Sequence, residues 1–211
     1  MTEILTQYFN QLTPLQIEQF ESMGKLYSDW NSKINVISRK DIDNLYERHI
    51  LHSLAIVKFL GSVVPGTKFV DVGTGGGFPA IPLAICYPEA SFHLIDRVAK
   101  KLRVAEDIAN SLGLKNVTLQ HADMNDCHLK FDFVISRAAM SLSSLYKLAK
   151  NNVTSESLNK YQNGIICLKG GDISEETIGI PYPVIEYPIN EFFKENFFDT
   201  KKIIYVPFSR C

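Results

Sequence analysis

The feature that most constrains this chain is a glycine-rich stretch that directly follows a short apolar run. The apolar residues Phe69, Val70 and Val72 predict a buried strand over 67–72, and the glycines alternating over 73–77 predict a tight turn. Apolar residues then recur at helical spacing over 79–85, with prolines only in the opening turns, where proline costs little. Strand, loop and helix in this order place free backbone amides above the carboxyl end of the strand, where ligands bind.

The residues of this loop distinguish between classes of ligand. A dinucleotide fingerprint needs a third glycine at the position that Phe78 occupies. Asp71 lies two residues before the first glycine, and a carboxylate there repels a pyrophosphate but favours a cation. S-adenosylmethionine offers an ammonium and a sulfonium instead of phosphates. We therefore predict an S-adenosylmethionine site at Asp71, Gly73, Gly75 and Gly77; the alternative is a tight turn that binds nothing.

Composition places the chain among ordinary globular proteins. Its 211 residues are 45% apolar, and the mean hydropathy is −0.02. No apolar run is long enough for a membrane span, and the first residues lack the pattern of an export signal. The four cysteines are scattered and match no zinc or redox spacing. We expect one compact unit in the cytoplasm, without a metal and without membrane association.

The net charge of −1 gives no overall basic field for a nucleic-acid partner. Such a partner would have to be held by local basic clusters, each of which is by itself more typical of a solvated face. The candidate clusters are Arg39-Lys40, the run Arg97/Lys100/Lys101/Arg103, Lys147/Lys150 and Lys201-Lys202.

The order of predicted elements indicates an α/β fold with a helical N-terminal extension. Residues 1–64 are expected to be helical, with one helix opened by Thr13-Pro14 and a second across 41–60. Residues 65–211 alternate between strands and helices, which predicts a seven-stranded, mostly parallel sheet with an antiparallel edge strand. The predicted strands are 67–72, 91–95, 117–120, 131–136, 164–168, 184–189 and 202–206, and the predicted helices of this part are 79–87, 97–112 and 141–150.

Polar residues follow several predicted strands at the sheet edge where ligands bind. Asp96, after the second strand, is suited to a ribose, although it could instead cap the next helix. Ala122-Asp123, after the third strand, could meet an adenine amino group, although loop polarity explains this acid almost as well. Arg137 and Lys169 end the fourth and fifth strands. We predict that both cations contact substrate or cofactor.

The second N-terminal helix carries Arg48, His49, His52 and Ser53. The pair of histidines could suggest a metal site, but no third ligand has suitable spacing. A histidine that makes a structural hydrogen bond is the favoured interpretation of this segment.

The loops after strands four and five restrict the reaction. The Asn/Asp-Pro-Pro-aromatic loop of exocyclic amine methylation is replaced by Ser-Arg-Ala-Ala, and a cysteine for pyrimidine C5 methylation is missing there. A target with a free lone pair, such as guanine N7, needs neither a nucleophile nor a general base. Catalysis would then depend on alignment and electrostatics, for which Arg137 and Lys169 are suited.

Four stretches together resemble one known family. They are Asp71-Val-Gly-Thr-Gly-Gly-Gly-Phe-Pro-Ala-Ile-Pro82, Arg48-His-Ile-Leu-x-Ser53, Val134-Ile-Ser-Arg-Ala138 and Leu168-Lys-Gly170. Together with Trp30-Asn31 and Asn35, they resemble RsmG (GidB), the bacterial methyltransferases of guanine N7 in 16S ribosomal RNA. The chain has His52 where this family usually has Asp, and His121 or Ala122 where many members have Arg.

The resemblance implies a class I, Rossmann-like methyltransferase fold with a helical N-terminal extension. It also implies cofactor contacts at Gly73, Phe78, Ala122-Asp123 and Arg137. Arg48, His49 and Lys169 are predicted to face the RNA. The substrate is expected to be a small-subunit particle or its precursor, and the enzyme is expected to be a monomer. Two alternatives stay open: a methyltransferase of a small molecule or protein, and a nucleotide-binding regulator or NAD-linked oxidoreductase.

Overall fold

The computed structural model describes residues 2–38, 41–137 and 139–208, and Arg39-Lys40, Ala138 and Cys211 lie outside the described residues. The N-terminal part is helical, as predicted. Helix α1 spans Glu3–Tyr8, and α2 spans Pro14–Lys33. The Thr13 side chain and the Gln16 side chain each accept from the other's backbone amide, with Pro14 in the first turn of α2. This capping box is why α2 begins at the predicted residue.

The second predicted helix is not uniform. It begins as a 3-10 turn at Ile42–Asn44, widens into a π-helix over Leu45–Leu51, and continues as helix α3 over His52–Leu60. The helix predicted across 41–60 is therefore an α-helix only in its second half. A π-helical stretch inside an α-helix is rare in general, and the known cases are often at functional sites.

The rest of the chain forms a seven-stranded sheet with the order β3-β2-β1-β4-β5-β7-β6. Its strands are β1 (Lys68–Val72), β2 (Ser91–Asp96), β3 (Val117–His121), β4 (Phe133–Arg137), β5 (Gly164–Gly170), β6 (Ile185–Pro188) and β7 (Lys201–Pro207). The first five strands pair in parallel, whereas β7 pairs antiparallel with β5 and with β6. The prediction of a mostly parallel sheet with an antiparallel edge is confirmed.

Helices cover both faces of this sheet. Those of the second half are α4 (Ala80–Cys86), α5 (Ala99–Ser111) and α6 (Leu142–Ala149). One core packs residues of α1 to α5 against one face, and a smaller core packs α6 against the other. The larger core joins residues from both sides of the predicted boundary at 64/65, such as Tyr27 and Phe78, whose rings lie 4.7 Å apart. The helical extension is therefore part of the same packed core as the sheet.

No helix in the described part of the chain is both long enough and apolar enough to cross a membrane.

Candidate functional site

The glycine loop leaves β1 and is fixed by two carboxylates. Buried Asp71 accepts hydrogen bonds through Oδ2 from the Thr74 hydroxyl (2.8 Å) and the Ala80 amide (3.2 Å). Asp96, at the end of β2, accepts from the Gly75 amide through Oδ2 and from the Val98 amide through Oδ1, both at 2.8 Å. The two acids thus tie the loop to the next helix on one side and to the neighbouring strand on the other.

Glycine is required in this loop for different reasons at different positions. Gly73, Gly75 and Gly77 all have positive φ, which disfavours side chains. A Cβ at Gly73 would lie 2.8 Å from Ala139, and one at Gly77 would lie 2.3 Å from Ile81. A Cβ at Gly75 would meet no described protein atom within 4 Å. Close packing accounts for Gly73 and Gly77, whereas the space at Gly75 opens toward a cavity.

Burial changes the proton affinity of Asp71. Removal from water raises the pKa of this carboxyl to about 7, although the Thr74 and Ala80 hydrogen bonds and the Arg137 charge oppose the shift. Its Oδ1 atom is buried and has no hydrogen-bond partner among the described residues. The structure therefore places Asp71 beneath the loop, as its internal support.

A cavity of about 520 Å³ lies over the carboxyl ends of β1, β2 and β3 and beneath the loop after β4. Its size suits a small-molecule ligand. Of the predicted cofactor residues, it is lined by Gly73, Gly75, Asp96, Ala122 and Asp123. Four others, Asp71, Gly77, Phe78 and Arg137, do not line it.

The same cavity is also lined by residues that were not predicted to contact the cofactor. Arg97 and Lys101 belong to a basic run predicted as a candidate nucleic-acid cluster, although such a run is by itself more typical of a solvated face, and Arg97 pairs with Asp123 at 3.3 Å. Met140 and Leu148 add apolar surface from the loop after β4 and from α6. The signal for Arg97 was its place directly after Asp96, because it leaves the same strand end.

Arg137 lies in a cluster beside the glycine loop. One terminal nitrogen of its guanidinium donates to His49 Nδ1 at 3.0 Å, and the group lies over the Phe78 ring at 4.9 Å. Among the described residues, no carboxylate forms an ion pair with it. Burial lowers the pKa of Arg137 to about 10, so the group remains cationic at neutral pH. A buried cation without a carboxylate partner is suited to an anionic ligand group.

His49 is a neutral acceptor within this cluster. Burial and then the Arg137 charge lower the pKa of His49 to about 3. Because a guanidinium only donates hydrogen bonds, Nδ1 accepts and the proton is on Nε2. Arg48 points elsewhere and pairs with Asp41 at 2.9 Å. Neither Arg48 nor His49 lines a described cavity. Of the residues predicted to face the RNA, His49 contacts Arg137, whereas Lys169 does not.

Lys169 belongs to a second cluster. Leu168 pairs with Arg137 across the two strands, and Lys169 is the next residue, so its side chain points to the opposite face of the sheet. Its Nζ donates to the Met140 carbonyl at 2.5 Å and to Glu176 Oε2 at 2.8 Å. The same carboxylate oxygen accepts from the Leu142 amide at 2.7 Å. Burial acts to raise the pKa of Glu176, but these hydrogen bonds outweigh it and hold the pKa below its usual value. Glu176 carries no recognisable sequence signal and was missed.

A second cavity, of about 340 Å³, adjoins this cluster. It is lined by His52, Met140, Ser141, Leu168, Lys169, Gly170, Glu176 and Lys201. Met140 lines both cavities, which therefore share one wall. The two cavities therefore lie side by side at the carboxyl ends of the strands, where α/β sheets bind their ligands.

Outside these clusters, polar residues of the N-terminal part have structural partners. Trp30 donates to Asp107 at 2.7 Å, and Asn31 accepts from the Val36 and Ile37 amides. Among the described residues, no group of three or more His, Cys, Asp or Glu side chains is arranged to hold a metal ion.

Comparison with known proteins assigns the chain to a family. The family model described as GidB, rRNA small subunit methyltransferase G, matches residues 16–178. The chain belongs to the GidB family. It is 52% identical over 203 residues to the ribosomal RNA small subunit methyltransferase G of Bacteroides thetaiotaomicron, covering 96% of this chain and 98% of that protein. The protein of the same name from Cytophaga hutchinsonii is 47% identical, with 97% and 99% covered.

Solved structures agree on the fold. A methyltransferase from Aquifex aeolicus described as SAM-dependent is similar with a TM-score of 0.54 at 18% identity, over 81% of this chain and 98% of that one. A variant of MtNAS in complex with S-adenosylmethionine is similar with a TM-score of 0.58 at 15% identity, over 97% and 76%. The predicted Rossmann-like methyltransferase fold is confirmed.

Proposed function

We propose that this protein transfers a methyl group from S-adenosylmethionine to N7 of a guanine in 16S ribosomal RNA. The observation that carries the proposal is the family membership over nearly the whole chain, together with the cavity that Gly75 and Asp96 line at the strand ends. We further propose that the enzyme acts as a cytoplasmic monomer on a small-subunit particle or its precursor.

The residues present fit S-adenosylmethionine. The open space at Gly75 admits a ligand against the backbone, and Asp96 retains lone pairs for the ribose hydroxyls. Ala122 and Asp123 follow the end of β3 and line the same cavity, and we assign them to the adenine. Arg137 does not line this cavity; its buried cation lies beside the glycine loop over the Phe78 ring and stays a predicted contact for the carboxylate of the methionyl part. When bound, the cofactor supplies an electrophilic methyl group on a sulfonium.

The two alternatives are less well supported. Bound NAD requires room for a pyrophosphate at the loop, whereas Asp96 already occupies the Gly75 amide with a carboxylate. A small-molecule acceptor would require an enclosed apolar pocket, whereas the second cavity is lined by Lys169, Glu176 and Lys201. Charged lining residues suit a polar base in a nucleic acid.

The experiment is mass spectrometry of 16S RNA from cells with and without the gene. We expect a 7-methylguanosine that is present with the gene and missing without it, and restored by the wild-type gene but not by a Gly75→Val variant. An unchanged set of modified nucleosides would contradict the proposal.

A further inference from the structure

The second cavity carries three polar atoms in a row along one wall. The Met140 carbonyl, Lys169 Nζ and Glu176 Oε2 follow one another at 2.5 and 2.8 Å. The row begins at Met140, which also lines the first cavity, and ends at the Glu176 carboxylate, which does not line it. Glu176 Oε1 has no hydrogen bond to the residues that the structure describes, although Oε2 accepts two.

The donor Lys169 and the acceptor Glu176, which follow the Met140 carbonyl in this row, match two groups on one edge of a purine. Guanine presents N7, the O6 acceptor and the N1–H donor in sequence along this edge, followed by the N2 amino group. Lys169 is a donor and Glu176 an acceptor, whereas adenine presents a donor at N6 and an acceptor at N1. The pair therefore complements guanine and opposes adenine, with N7 directed toward the wall shared with the other cavity.

We propose that this cavity holds the acceptor guanine, with Lys169 donating to O6 and Glu176 accepting from the N1–H and N2 amino edge. Glu176 thereby determines which base is methylated. The inference rests on the function proposed above and names the residue that selects its substrate. Reaching such a pocket requires the nucleotide to leave its stack, as in other enzymes that modify bases.

His52, which lines the same cavity, carries a buried polar atom without a described partner. The residue is 7% exposed, and the atom without a hydrogen-bond partner among the described residues is Nε2. The imidazole packs edge-on against Phe197 and Phe198, with ring centroids 5.6 and 6.0 Å apart. An unpaired buried polar atom is costly unless a ligand or water meets it.

The charge that develops in the reaction favours a Lys169 whose own charge is offset by Glu176. N7 forms the new bond to the methyl carbon with its lone pair, the electrons of the broken carbon–sulfur bond remain on sulfur, and no proton moves. The positive charge passes from the sulfonium to the purine, which an isolated Lys169 beside O6 would oppose. Glu176 offsets the lysine charge at 2.8 Å, and its bond to the increasingly acidic N1–H strengthens as the reaction proceeds.

The test combines residue and base changes. Small-subunit particles are reconstituted with 16S RNA that carries guanine or inosine at the methylated position, inosine being guanine without the N2 amino group. Wild type, Glu176→Ala, Glu176→Gln and the exposed neighbour control Glu175→Ala are compared by kcat/KM. Affinity for S-adenosylmethionine is measured for each by calorimetry.

We expect wild type and Glu175→Ala to lose about 10-fold or more on inosine, as for a hydrogen bond to a charged group. Glu176→Ala should methylate both bases at the same low rate, with cofactor affinity unchanged, and Glu176→Gln should show a reduced base preference. A variant that is slower but keeps the full preference for guanine would assign Glu176 a purely structural role and overturn the inference. Equal wild-type rates on both bases would overturn it as well. Wild type that forms no 7-methylguanine would contradict the proposed function, and this inference with it.

Discussion

At the scale of single residues, Asp71 shows how burial changes the role of an acid. The sequence suggested a carboxylate facing a cationic cofactor, whereas the structure places the carboxyl under the loop with its pKa raised to about 7. Because the folded state holds the proton more tightly than the unfolded chain, Asp71 contributes stability that is complete below pH 4 and is lost as the pH rises through 7.

We therefore predict that replacing Asp71 by Asn becomes progressively less harmful as the pH rises from 5 to 8. The free energy of unfolding of the variant should gain on that of wild type by roughly 1 kcal/mol per pH unit up to pH 7, because the amide does not ionise. Urea unfolding at each pH without cofactor gives the difference. A difference that is independent of pH would contradict the raised pKa.

Lys169 is the residue at which cofactor binding and methyl transfer are easiest to separate. Lys169→Ala is expected to leave S-adenosylmethionine affinity unchanged and to lower methyl transfer about 10- to 100-fold, the effect of one charge-assisted hydrogen bond. Lys202→Ala is the matched control, because Lys202 pairs with Glu186 at 2.7 Å on the neighbouring strand. Equal losses of binding and transfer would make Lys169 a cofactor residue, and wild-type activity would make it a surface residue.

At the scale of elements, the glycine loop depends on helix α2 as well as on its own sequence. The buried Tyr27 hydroxyl donates to the Gly76 carbonyl at 2.7 Å, and a Cβ at Gly76 would lie 2.1 Å from Val36. The N-terminal helix therefore packs directly against the loop. Of the loop's positive-φ glycines, Gly75 is the one whose Cβ direction is open.

This difference makes Gly75→Val an informative substitution. We expect loss of S-adenosylmethionine binding in a folded protein, because the side chain would enter the cavity while the backbone strain costs about 1–2 kcal/mol. Gly113→Val carries the same strain, since Gly113 also has positive φ and open space, but it lies outside the cavity. Calorimetry and thermal unfolding of both variants separate the two effects. Unchanged affinity in Gly75→Val would remove the loop from the cofactor site.

At the scale of the whole molecule, a net charge of −1 limits how the protein holds RNA. The cations at the two cavities are few, chiefly Arg97, Lys101, Lys169 and Lys201, and Lys169 is already neutralised by Glu176. Each phosphate contact adds roughly 0.7–0.9 to the slope of log affinity against log salt concentration. Three or four contacts would give a slope of about −2 to −4.

We predict that a small-subunit particle is a better substrate than protein-free 16S RNA, because shape and neighbouring proteins must supply what few phosphate contacts lack. Radiolabelled methyl transfer to both substrates at matched concentrations, across a salt series, measures this. Comparable rates on protein-free RNA, or a slope much steeper than about −4, would show that a larger basic surface takes part.

The sequence by itself determined the order of strands and helices along the chain and the position of the glycine loop, because these depend on local patterns. Apolar runs, helix caps such as Thr13 and the alternation of strand and helix predicted every strand of the sheet to within a few residues. The strand-end rule also placed Asp96, Ala122 and Asp123 at a cavity before any coordinates.

Only the tertiary structure decided which faces the end residues occupy and what they contact. Arg137 and Lys169 end adjacent strands, yet one points toward His49 and the other toward Glu176, because successive strand residues alternate faces. The π-helical turn at Leu45–Leu51 and the pairing of Glu176 with Lys169 depend on long-range packing, for which neighbouring letters carry no signal. The position of the site could therefore be predicted from the sequence, whereas the contacts that hold its side chains in place could not.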